Sequence, residues 1–280
     1  MSSNIPPYVT FHDGNKAPQL GFGVWQIETD AEAVIKTAID VGYRLIDTAA
    51  IYGNEASVGD AIKNCGIDRD QLFITTKLWN DRHGYDETMA AFDESLEKLK
   101  LDYVDMYLIH WPVPKTDLYV KSWEAMIQLH DEGRIKSLGV ANFNINHLQR
   151  LLDETGVIPV VNQIELNPRF QQAELRDYHD DQGIVTQAWS PLGHGALWDN
   201  PVLTQIAHKH QRSVAQVILR WHIQLNNIVI PKSITPSRIK ENFNVYDFAL
   251  DDEDMAAIAV LDDPGARHGP DPERFRLPKA

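Results

Sequence analysis

The chain has little cysteine and no long apolar run. Cys65 is the single cysteine among 280 residues, so an internal disulfide is impossible. No apolar stretch approaches the roughly 20 residues that cross a bilayer. The first residues show neither the basic region nor the apolar run of a secretion signal. These absences argue against a membrane-spanning or disulfide-rich protein and predict a cytoplasmic location.

Positive charge is also scarce. Lysine and arginine number 26 against 40 aspartates and glutamates, which gives a net charge of −14 at pH 7. Such a field disfavours nucleic acid and anionic membrane surfaces as partners. It permits a small anionic ligand, because salt screens distant charges and a local basic patch acts at short range. We therefore expect a small-molecule partner, with no nucleic acid and no membrane.

Familiar cofactor and metal motifs are missing too. Gly21 and Gly23 stand one residue apart, but the third glycine of a dinucleotide fingerprint and its helix are absent. The pair is better explained by close packing. His208 and His210 form the one close histidine pair, and residues two apart on a helix do not share a face. Since a zinc site needs clustered ligands, we expect no metal, and the spacing argues against the alternative of a metal-dependent barrel hydrolase.

The chain does contain a repeated alternation of short β-branched apolar runs and segments of helical periodicity. Eight runs are predicted strands, at residues 19–24, 43–48, 72–78, 104–111, 137–142, 160–165, 184–189 and 228–232. Apolar residues three or four apart predict helices between them, as at residues 85–100. Eight strand–helix units without a linker predict an α/β fold, a single-domain (β/α)8 TIM barrel over residues 1–280.

Both ends of the chain fall outside this repeat. Residues 1–18, with the turn signal Asp13-Gly14, predict an N-terminal hairpin under the barrel. Residues 262–280 are rich in proline and glycine and predict an extended C-terminal tail. Thr29 and Glu32 have the spacing of a capping box that opens the first helix. The acidic run at residues 250–255 suits the first turn of a last helix.

Polar residues stand where the predicted strands end, which is where a barrel of this kind places its active site. In chain order they are Asp47, Lys77, His110, Asn142, Gln163, Ser190 and Lys232. A lone histidine or lysine in such a place is compatible with packing. Packing alone does not explain a polar group at one strand end after another, so we expect a shared functional rim.

Asp47, Tyr52 and Lys77 together predict a proton donor. Tyrosine, with an ordinary pKa of about 10, is a weak acid near neutral pH unless that pKa falls. A lysine ammonium within hydrogen-bond reach stabilises the phenolate, and a buried carboxylate keeps the lysine charged. We therefore expect Asp47 to hold Lys77, Lys77 to lower the pKa of Tyr52, and His110 to orient a carbonyl oxygen.

Residues 230–242 predict an anion site. Thr235 is typical of a helix N-cap and Pro236 of the first helical position, which places Arg238 third. A cation is unfavourable at the positive end of a helix dipole unless an anion binds there. Lys232, just before the helix, adds a second cation. A solvated basic helix start is the alternative.

These residues make the chain resemble the aldo-keto reductases from end to end. The resemblance rests on "GFGVWQ", "RLIDTAAIYGNE", "FITTKLWN", "DMYLIHWP", "SLGVANF", "VNQIELNP", "AWSPLG" and "IPKSITPSRIKEN". Within the family, "AAIYGNEASVG", "TTKLWNDRHG" and "VNQIELNPRFQQ" are most similar to bacterial 2,5-diketo-D-gluconate reductases. The resemblance implies a carbonyl reductase whose catalytic residues are Asp47, Tyr52, Lys77 and His110.

The resemblance also implies the cofactor NADPH/NADP+ and its contacts. Asn142 and Gln163 would bind the carboxamide, and Trp189 would stack on the nicotinamide. The other implied cofactor contacts are Val24, Trp25, Ser190, Leu192, Lys232, Ser233, Thr235, Arg238, Glu241 and Asn242. Ala141 stands where the family often has serine, Val24 where threonine is common, and Trp189 where tyrosine is commoner, which affects the expected cofactor affinity.

Trp25, Trp79 and Trp111 are expected to line the substrate pocket with His110. The short loop at residues 113–121 predicts an open pocket for small polar carbonyls. Keto acids like 2,5-diketo-D-gluconate, dicarbonyls such as methylglyoxal, and small aldehydes fit that description. We expect a monomer. A non-catalytic NADPH-binding regulatory subunit on the same fold is the alternative function, and oxidation of NADPH by carbonyls distinguishes the two.

Overall fold

A computed structural model describes residues 6–276 of the chain. Residues 1–5 and 277–280, parts of the predicted hairpin region and tail, lie outside the described residues. The strands are β1 (Tyr8–Thr10), β2 (Lys16–Pro18), β3 (Phe22–Gly23), β4 (Leu45–Asp47), β5 (Phe73–Leu78), β6 (Val104–Ile109), β7 (Ile135–Ala141), β8 (Val161–Glu165), β9 (Val185–Trp189) and β10 (Ile228–Val229). The α-helices are α1 (Ala31–Val41), α2 (Glu55–Asn64), α3 (Tyr85–Leu99), α4 (Tyr119–Asp131), α5 (Ile145–Thr155), α6 (Ala173–Gln182), α7 (Pro201–His210), α8 (Val214–Gln224), α9 (Pro236–Phe243) and α10 (Asp252–Ala259).

The strands β3 to β10 form one parallel sheet in which sequential strands are neighbours. The sheet closes on itself through a parallel bridge between Leu20 and Val229. The Gly21 N–H donates to the Val229 carbonyl (2.9 Å), and the Val229 N–H donates to the Gln19 carbonyl (2.9 Å). The predicted (β/α)8 fold is therefore confirmed.

Alternation along each strand sends every second side chain into the barrel. In β5, Ile74 and Leu78 pack outward against the helices, whereas Phe73 packs into the interior. Thr75 and Lys77 share the inward parity of Phe73. The interior is apolar in its lower layers and polar at the carboxyl ends of the strands. This arrangement turns polar residues at the strand ends toward one another.

The hairpin of β1 and β2 lies under the barrel, at the amino ends of the strands. Its strands pair antiparallel, and Phe11 packs edge-on to Phe73, the first residue of β5, with ring centroids 6.3 Å apart. Asn15 Nδ2 donates to the Lys136 carbonyl near the start of β7 (2.9 Å). This face of the barrel is therefore covered by the hairpin and lies opposite the polar rim.

The structure contradicts one of the predicted helix starts and confirms another. The capping box at Thr29 and Glu32 is wrong, because α1 begins at Ala31 after Asp30, which has a left-handed backbone and no side-chain cap. The acidic start of the last helix is confirmed, since the Asp251 side chain caps α10. Gly21 is closely packed, as predicted, because a Cβ atom there would lie 2.4 Å from the end of the Leu45 side chain.

Candidate active site

The turn after β4 returns Tyr52 to the end of the strand that carries Asp47. A single 3-10 turn follows the strand and ends at Tyr52. Asn54 fixes this turn, because its Oδ1 accepts from the Thr48 hydroxyl (2.8 Å) and its Nδ2 donates to the Val24 carbonyl (2.9 Å). Val24 is itself buried. The buried amide explains how a short loop holds a carboxylate and a phenol close together.

Lys77 forms a buried ion pair with Asp47 at the centre of the rim. The lysine side chain is 0% exposed, and its Nζ lies 2.5 Å from Asp47 Oδ1. Nζ also donates to the Thr48 carbonyl (2.8 Å). The second oxygen of Asp47 accepts from Gln163 Nε2 (2.7 Å). Both charges are thus satisfied by hydrogen bonds, as a buried pair requires.

Tyr52 and His110 stand beside this pair. Lys77 Nζ lies 5.1 Å from the centroid of the Tyr52 ring. The rings of Tyr52 and His110 meet edge-on with centroids 5.8 Å apart. The structure therefore brings together all four of the predicted catalytic residues, which come from three successive strand ends and one turn.

Burial has a large effect on the pKa values of Lys77, Asp47 and His110. It lowers the pKa of Lys77, but Asp47 and Tyr52 outweigh this effect and leave that pKa above its ordinary value. Burial raises the pKa of the Asp47 carboxyl, against the opposing influence of Lys77 and Gln163. Burial and the charge of Lys77 hold the pKa of His110 well below its usual range. At neutral pH the rim therefore carries an ammonium and a neutral imidazole.

The expectation that Lys77 gives Tyr52 a depressed pKa is wrong in its net direction. Burial raises the pKa of the phenol, Lys77 lowers it, and Asp47 raises it again. Desolvation outweighs the single favourable charge, since a phenolate loses its water here. Tyr52 consequently keeps its proton at pH 7.

Asn142 and Trp189 extend the rim on the other side of His110. Asn142 has a left-handed backbone (φ 62°), which asparagine tolerates better than most residues. Its Nδ2 donates to the His110 carbonyl (2.9 Å), and its Oδ1 accepts from Trp189 Nε1 (2.8 Å). Together with Gln163, which contacts Asp47, these predicted cofactor residues adjoin the four central ones.

The predicted phosphate-binding residues form a second, separate group around the start of α9. Thr235 is the N-cap and Pro236 the first helical residue, although the Thr235 side chain makes no capping bond. Lys232 and Arg238 are exposed, Ser233 and Glu241 are half-buried, and Asn242 is buried. The Ser233 hydroxyl accepts from the Thr235 N–H (3.1 Å). No hydrogen bond or ion pair within residues 6–276 joins this group to Asp47, Tyr52, Lys77 or His110.

Ser190 and Leu192 follow β9 at the edge of the barrel. Ser190 has a left-handed backbone (φ 47°), and its hydroxyl lies 2.9 Å from His194 Nε2. Leu192 is half-buried and packs against the core. Trp25 is 47% exposed and meets His194 edge-on, with ring centroids 6.3 Å apart. These residues border the rim without contacting the ion pair.

Aromatic residues enclose one side of His110. Trp79 meets the His110 ring edge-on (5.1 Å between centroids). Phe275 stacks on Trp111, with centroids 4.6 Å apart and planes 17° apart. Trp111 is only 7% exposed as a result. The expected open pocket is therefore wrong on this side, because the chain returns over it after α10.

Residues 262–276, here called the C-terminal segment, were not selected from the sequence as part of the site. Glu165 was not selected either, although it has the signal that identified Asp47, a carboxylate at the end of a buried strand. Asn54 had only its place in a turn as a signal. Phe275 gave none, since an aromatic residue in a Pro- and Gly-rich tail predicts no contact with a particular strand end.

Within residues 6–276 no three histidine, cysteine, aspartate or glutamate side chains are grouped so as to hold a metal ion. No helix in the same range has the length and apolarity needed to cross a membrane.

Comparisons with known proteins agree with this geometry. Residues 19–263 match the Aldo/keto reductase family. Methylglyoxal reductase DkgA of Escherichia coli (strain K12) is 52% identical over 273 residues, covering 96% of this chain and 98% of DkgA. An aldo/keto reductase from Brucella melitensis has a crystal structure with a TM-score of 0.89 at 58% identity, covering 92% of this chain and 100% of that one. A mutant of Gox0644 crystallised in complex with NADPH gives a TM-score of 0.94 at 46% identity, covering 97% and 99%. The chain belongs to the aldo/keto reductase family.

Proposed function

We propose that this aldo/keto reductase uses NADPH to reduce the carbonyl group of small polar aldehydes and ketones, with Tyr52 as the proton donor. The observation that carries the proposal is the fully buried Lys77, paired with Asp47 beneath the Tyr52 ring. A buried ion pair contributes little to stability relative to apolar packing. Its place beside a phenol at the strand ends supports a role in proton transfer.

The residues around α9 fit the phosphate end of NADPH. Lys232 and Arg238 are exposed, and neither pairs with a carboxylate within residues 6–276. Two unpaired cations beside a helix N-terminus suit a phosphate group. We assign the adenosine 2′-phosphate to these cations and to Ser233. The relative crystallised with NADPH supports the same cofactor.

The residues beyond His110 fit the nicotinamide end. Trp189 is half-buried, and its bond to Asn142 fixes the plane of the indole, which suits stacking. Gln163 and Asn142 carry the amide groups that would hold a carboxamide. Bound by these residues, NADPH would supply the hydride that the carbonyl carbon gains.

Tyr52 supplies the proton that the carbonyl oxygen gains, so the carbonyl becomes an alcohol. Its raised pKa keeps the phenol protonated before reaction. Once the proton leaves, Lys77 stabilises the phenolate, because the ammonium is close and both groups are shielded from water. Asp47 keeps Lys77 charged throughout. The ion pair therefore acts on the product of proton transfer more than on the resting phenol.

His110 orients the substrate. Its imidazole is neutral at pH 7, so one ring nitrogen carries a hydrogen and can donate to the carbonyl oxygen. Nδ1 is buried and has no partner within residues 6–276. A neutral donor binds the carbonyl oxygen without supplying the proton itself, which leaves that step to Tyr52.

The enclosed rim favours small substrates. The walls beside His110 are aromatic and consist of Trp79, Trp111 and Phe275. The polar contacts with a substrate are then left to His110 and Tyr52. The relative from Escherichia coli is named a methylglyoxal reductase, which supports dicarbonyls as one substrate class. We propose dicarbonyls, keto acids like 2,5-diketo-D-gluconate, and small aldehydes.

The test is the rate of NADPH oxidation with a panel of carbonyls at fixed NADPH. We expect methylglyoxal and 2,5-diketo-D-gluconate to give higher kcat/KM values than a steroid ketone. Equal values for the steroid would contradict the substrate class. No oxidation with any carbonyl would contradict the reaction and favour a non-catalytic NADPH-binding protein.

A further inference from the structure

We propose that Glu165 is a positioning residue, which holds the C-terminal segment against Trp189 and so fixes the indole beside the reaction site. The inference rests on the proposed function, because it assigns a consequence for carbonyl reduction to a residue that does not touch Asp47, Tyr52, Lys77 or His110.

Glu165 is a buried carboxylate whose oxygens bind the backbone of the C-terminal segment. It ends β8 and is 1% exposed. Its Oε1 accepts from the His268 N–H and its Oε2 from the Gly269 N–H, each at 2.8 Å. No cation within residues 6–276 pairs with it. A buried carboxylate without a cation depends on such charge-assisted bonds, so the segment's attachment and the burial of Glu165 require each other.

This attachment presses the backbone of the segment onto Trp189. A Cβ atom at Gly269 would lie 2.6 Å from Trp189 Cη2 and 3.1 Å from Glu165 Oε2. Only a residue without a side chain therefore fits between the carboxylate and the indole.

Trp189 passes the constraint on to the reaction site. Its Nε1 donates to Asn142 Oδ1, and Asn142 Nδ2 donates to the His110 carbonyl. A shift of the indole would change the amide that supports the backbone of His110. Glu165 therefore acts on the site through Gly269, Trp189 and Asn142 in turn.

The rest of the segment closes the substrate side. Glu273 Oε1 accepts from Asn144 Nδ2 (2.7 Å), and Phe275 stacks on Trp111. Both contacts follow Gly269 along the chain. Release of the bonds to Glu165 would remove the attachment of the backbone between the Arg169–Asp263 ion pair, near the start of the segment, and these two contacts near its end.

The experiment compares Glu165→Gln with Glu174→Gln, which removes the same charge at an exposed position of α6. Trypsin cleavage after Arg267 reports the attachment, because the scissile bond contains the His268 N–H that Glu165 binds. We expect cleavage about 10-fold faster in Glu165→Gln, as suits the loss of a bond to a charged group. Glu174→Gln should match the wild type.

Steady-state and single-turnover kinetics with NADPH and methylglyoxal then separate positioning from simple anchoring. We expect Glu165→Gln to raise the KM for methylglyoxal about 10-fold, because the same hydrogen bond to a charged group is lost. The single-turnover rate at saturating methylglyoxal should stay close to that of the wild type, because the contacts among Asp47, Tyr52 and Lys77 are unchanged. Gly269→Ala keeps both bonding partners of Glu165 but displaces the indole, and it should raise KM without the loss of a carboxylate.

Faster cleavage together with a raised KM supports the proposal. Faster cleavage with an unchanged KM in Glu165→Gln would overturn it, because Glu165 would then only anchor the segment. An unchanged KM in Gly269→Ala would also overturn it, and this variant decides the matter if Glu165→Gln does not fold. A wild-type protein that oxidises no NADPH with any carbonyl would contradict the proposed function instead, while the cleavage rates still report the attachment.

Discussion

At the scale of single residues, the site depends on one buried charge balance. The ammonium of Lys77 is shared among Asp47, the Thr48 carbonyl and the adjacent Tyr52 ring. Removing one partner of a buried pair costs about 3–5 kcal/mol, because the other charge is left uncompensated. Substitutions at Asp47 or Lys77 therefore change the stability of the fold as well as the catalytic rate. Tyr52 is the better probe, since a phenylalanine preserves its ring and removes only the hydroxyl.

We predict that Tyr52→Phe abolishes carbonyl reduction while NADPH still binds. General acid catalysis contributes about 10²–10⁴-fold to a rate, so kcat should fall at least 100-fold or so. The measurements are kcat with methylglyoxal and the Kd of NADPH from tryptophan fluorescence. A variant that keeps more than roughly a tenth of the wild-type kcat would remove Tyr52 from the role of proton donor.

A buried histidine away from the site gives a prediction about pH. Burial and Arg176 lower the pKa of His179 from 6.5 to about 3. Its Nε2 faces Asn162 Nδ2 (3.0 Å) and its Nδ1 faces the Thr186 hydroxyl (2.8 Å), which suits the neutral ring. Between these two pKa values the unfolded chain binds a proton that the native state excludes. The stability contributed by neutral His179 is therefore present above pH 6.5 and is lost as the pH falls.

We expect His179→Gln to reduce this dependence. The free energy of unfolding of the wild type should fall by about 2 kcal/mol more than that of the variant between about pH 7 and pH 5. Chemical denaturation at both pH values gives the two differences. The exposed His208→Gln serves as the control and should behave as the wild type. Equal pH dependence in wild type and His179→Gln would show that His179 is protonated in the folded protein.

At the scale of elements, close contact between α2 and α3 explains an unfavourable residue in the middle of a helix. Gly59 lies within α2, where glycine costs about 1 kcal/mol relative to alanine. A methyl group there would overlap the Leu99 carbonyl at the end of α3. We predict that Gly59→Ala destabilises the protein by about 1–3 kcal/mol despite the better helix propensity. Ser57→Ala in the same helix is the control, and thermal unfolding is the measurement. A more stable Gly59→Ala would mean that the two helices separate easily.

The proposed phosphate site at the start of α9 gives a prediction about cofactor preference. We predict that Arg238→Ala weakens NADPH binding by about 10- to 150-fold, since hydrogen bonds to charged groups contribute about 1.5–3 kcal/mol. NADH should be almost unaffected, because it lacks the phosphate. Lys240→Ala removes an exposed cation from the same helix and is the control. Fluorescence titration gives Kd for both cofactors. Equal weakening of NADPH and NADH would show that Arg238 has a structural role.

The elements were predictable to different degrees. The eight barrel strands follow from buried β-branched runs, since such runs have few other stable arrangements in water. The start of α1 was not predictable, because Asp30 precedes it in a left-handed conformation that no side-chain bond identifies. The positions of Asp47, Lys77 and His110 at the rim were predictable from alternation and strand ends, and that of Tyr52 from its closeness to Asp47 along the chain. The role of Glu165 was not, because its partners are backbone N–H groups about a hundred residues away, which leave no mark on the side chains there.

At the scale of the whole molecule, the proposed chemistry needs only the chain's own charges and one organic cofactor. No metal-binding cluster occurs within residues 6–276. We predict that prolonged dialysis against a chelator leaves the rate of NADPH oxidation unchanged. Activity measured before and after dialysis, with zinc or magnesium then added back, is the test. Loss of activity that either metal restores would return a metal-dependent mechanism to consideration.

The N-terminal hairpin and the C-terminal segment lie on opposite faces of the barrel, so they differ as places to attach a tether or a fusion partner. The chain passes under the barrel through the β1–β2 hairpin, whereas residues 262–276 cross the opposite face, over the mouth of the site. A surface tether or fusion partner joined through the N-terminal side would therefore face away from arriving substrate. A partner joined after residue 276 would pull on Phe275 and on the backbone that Glu165 holds. Immobilised or fused forms of the enzyme should accordingly be built from the N-terminal side.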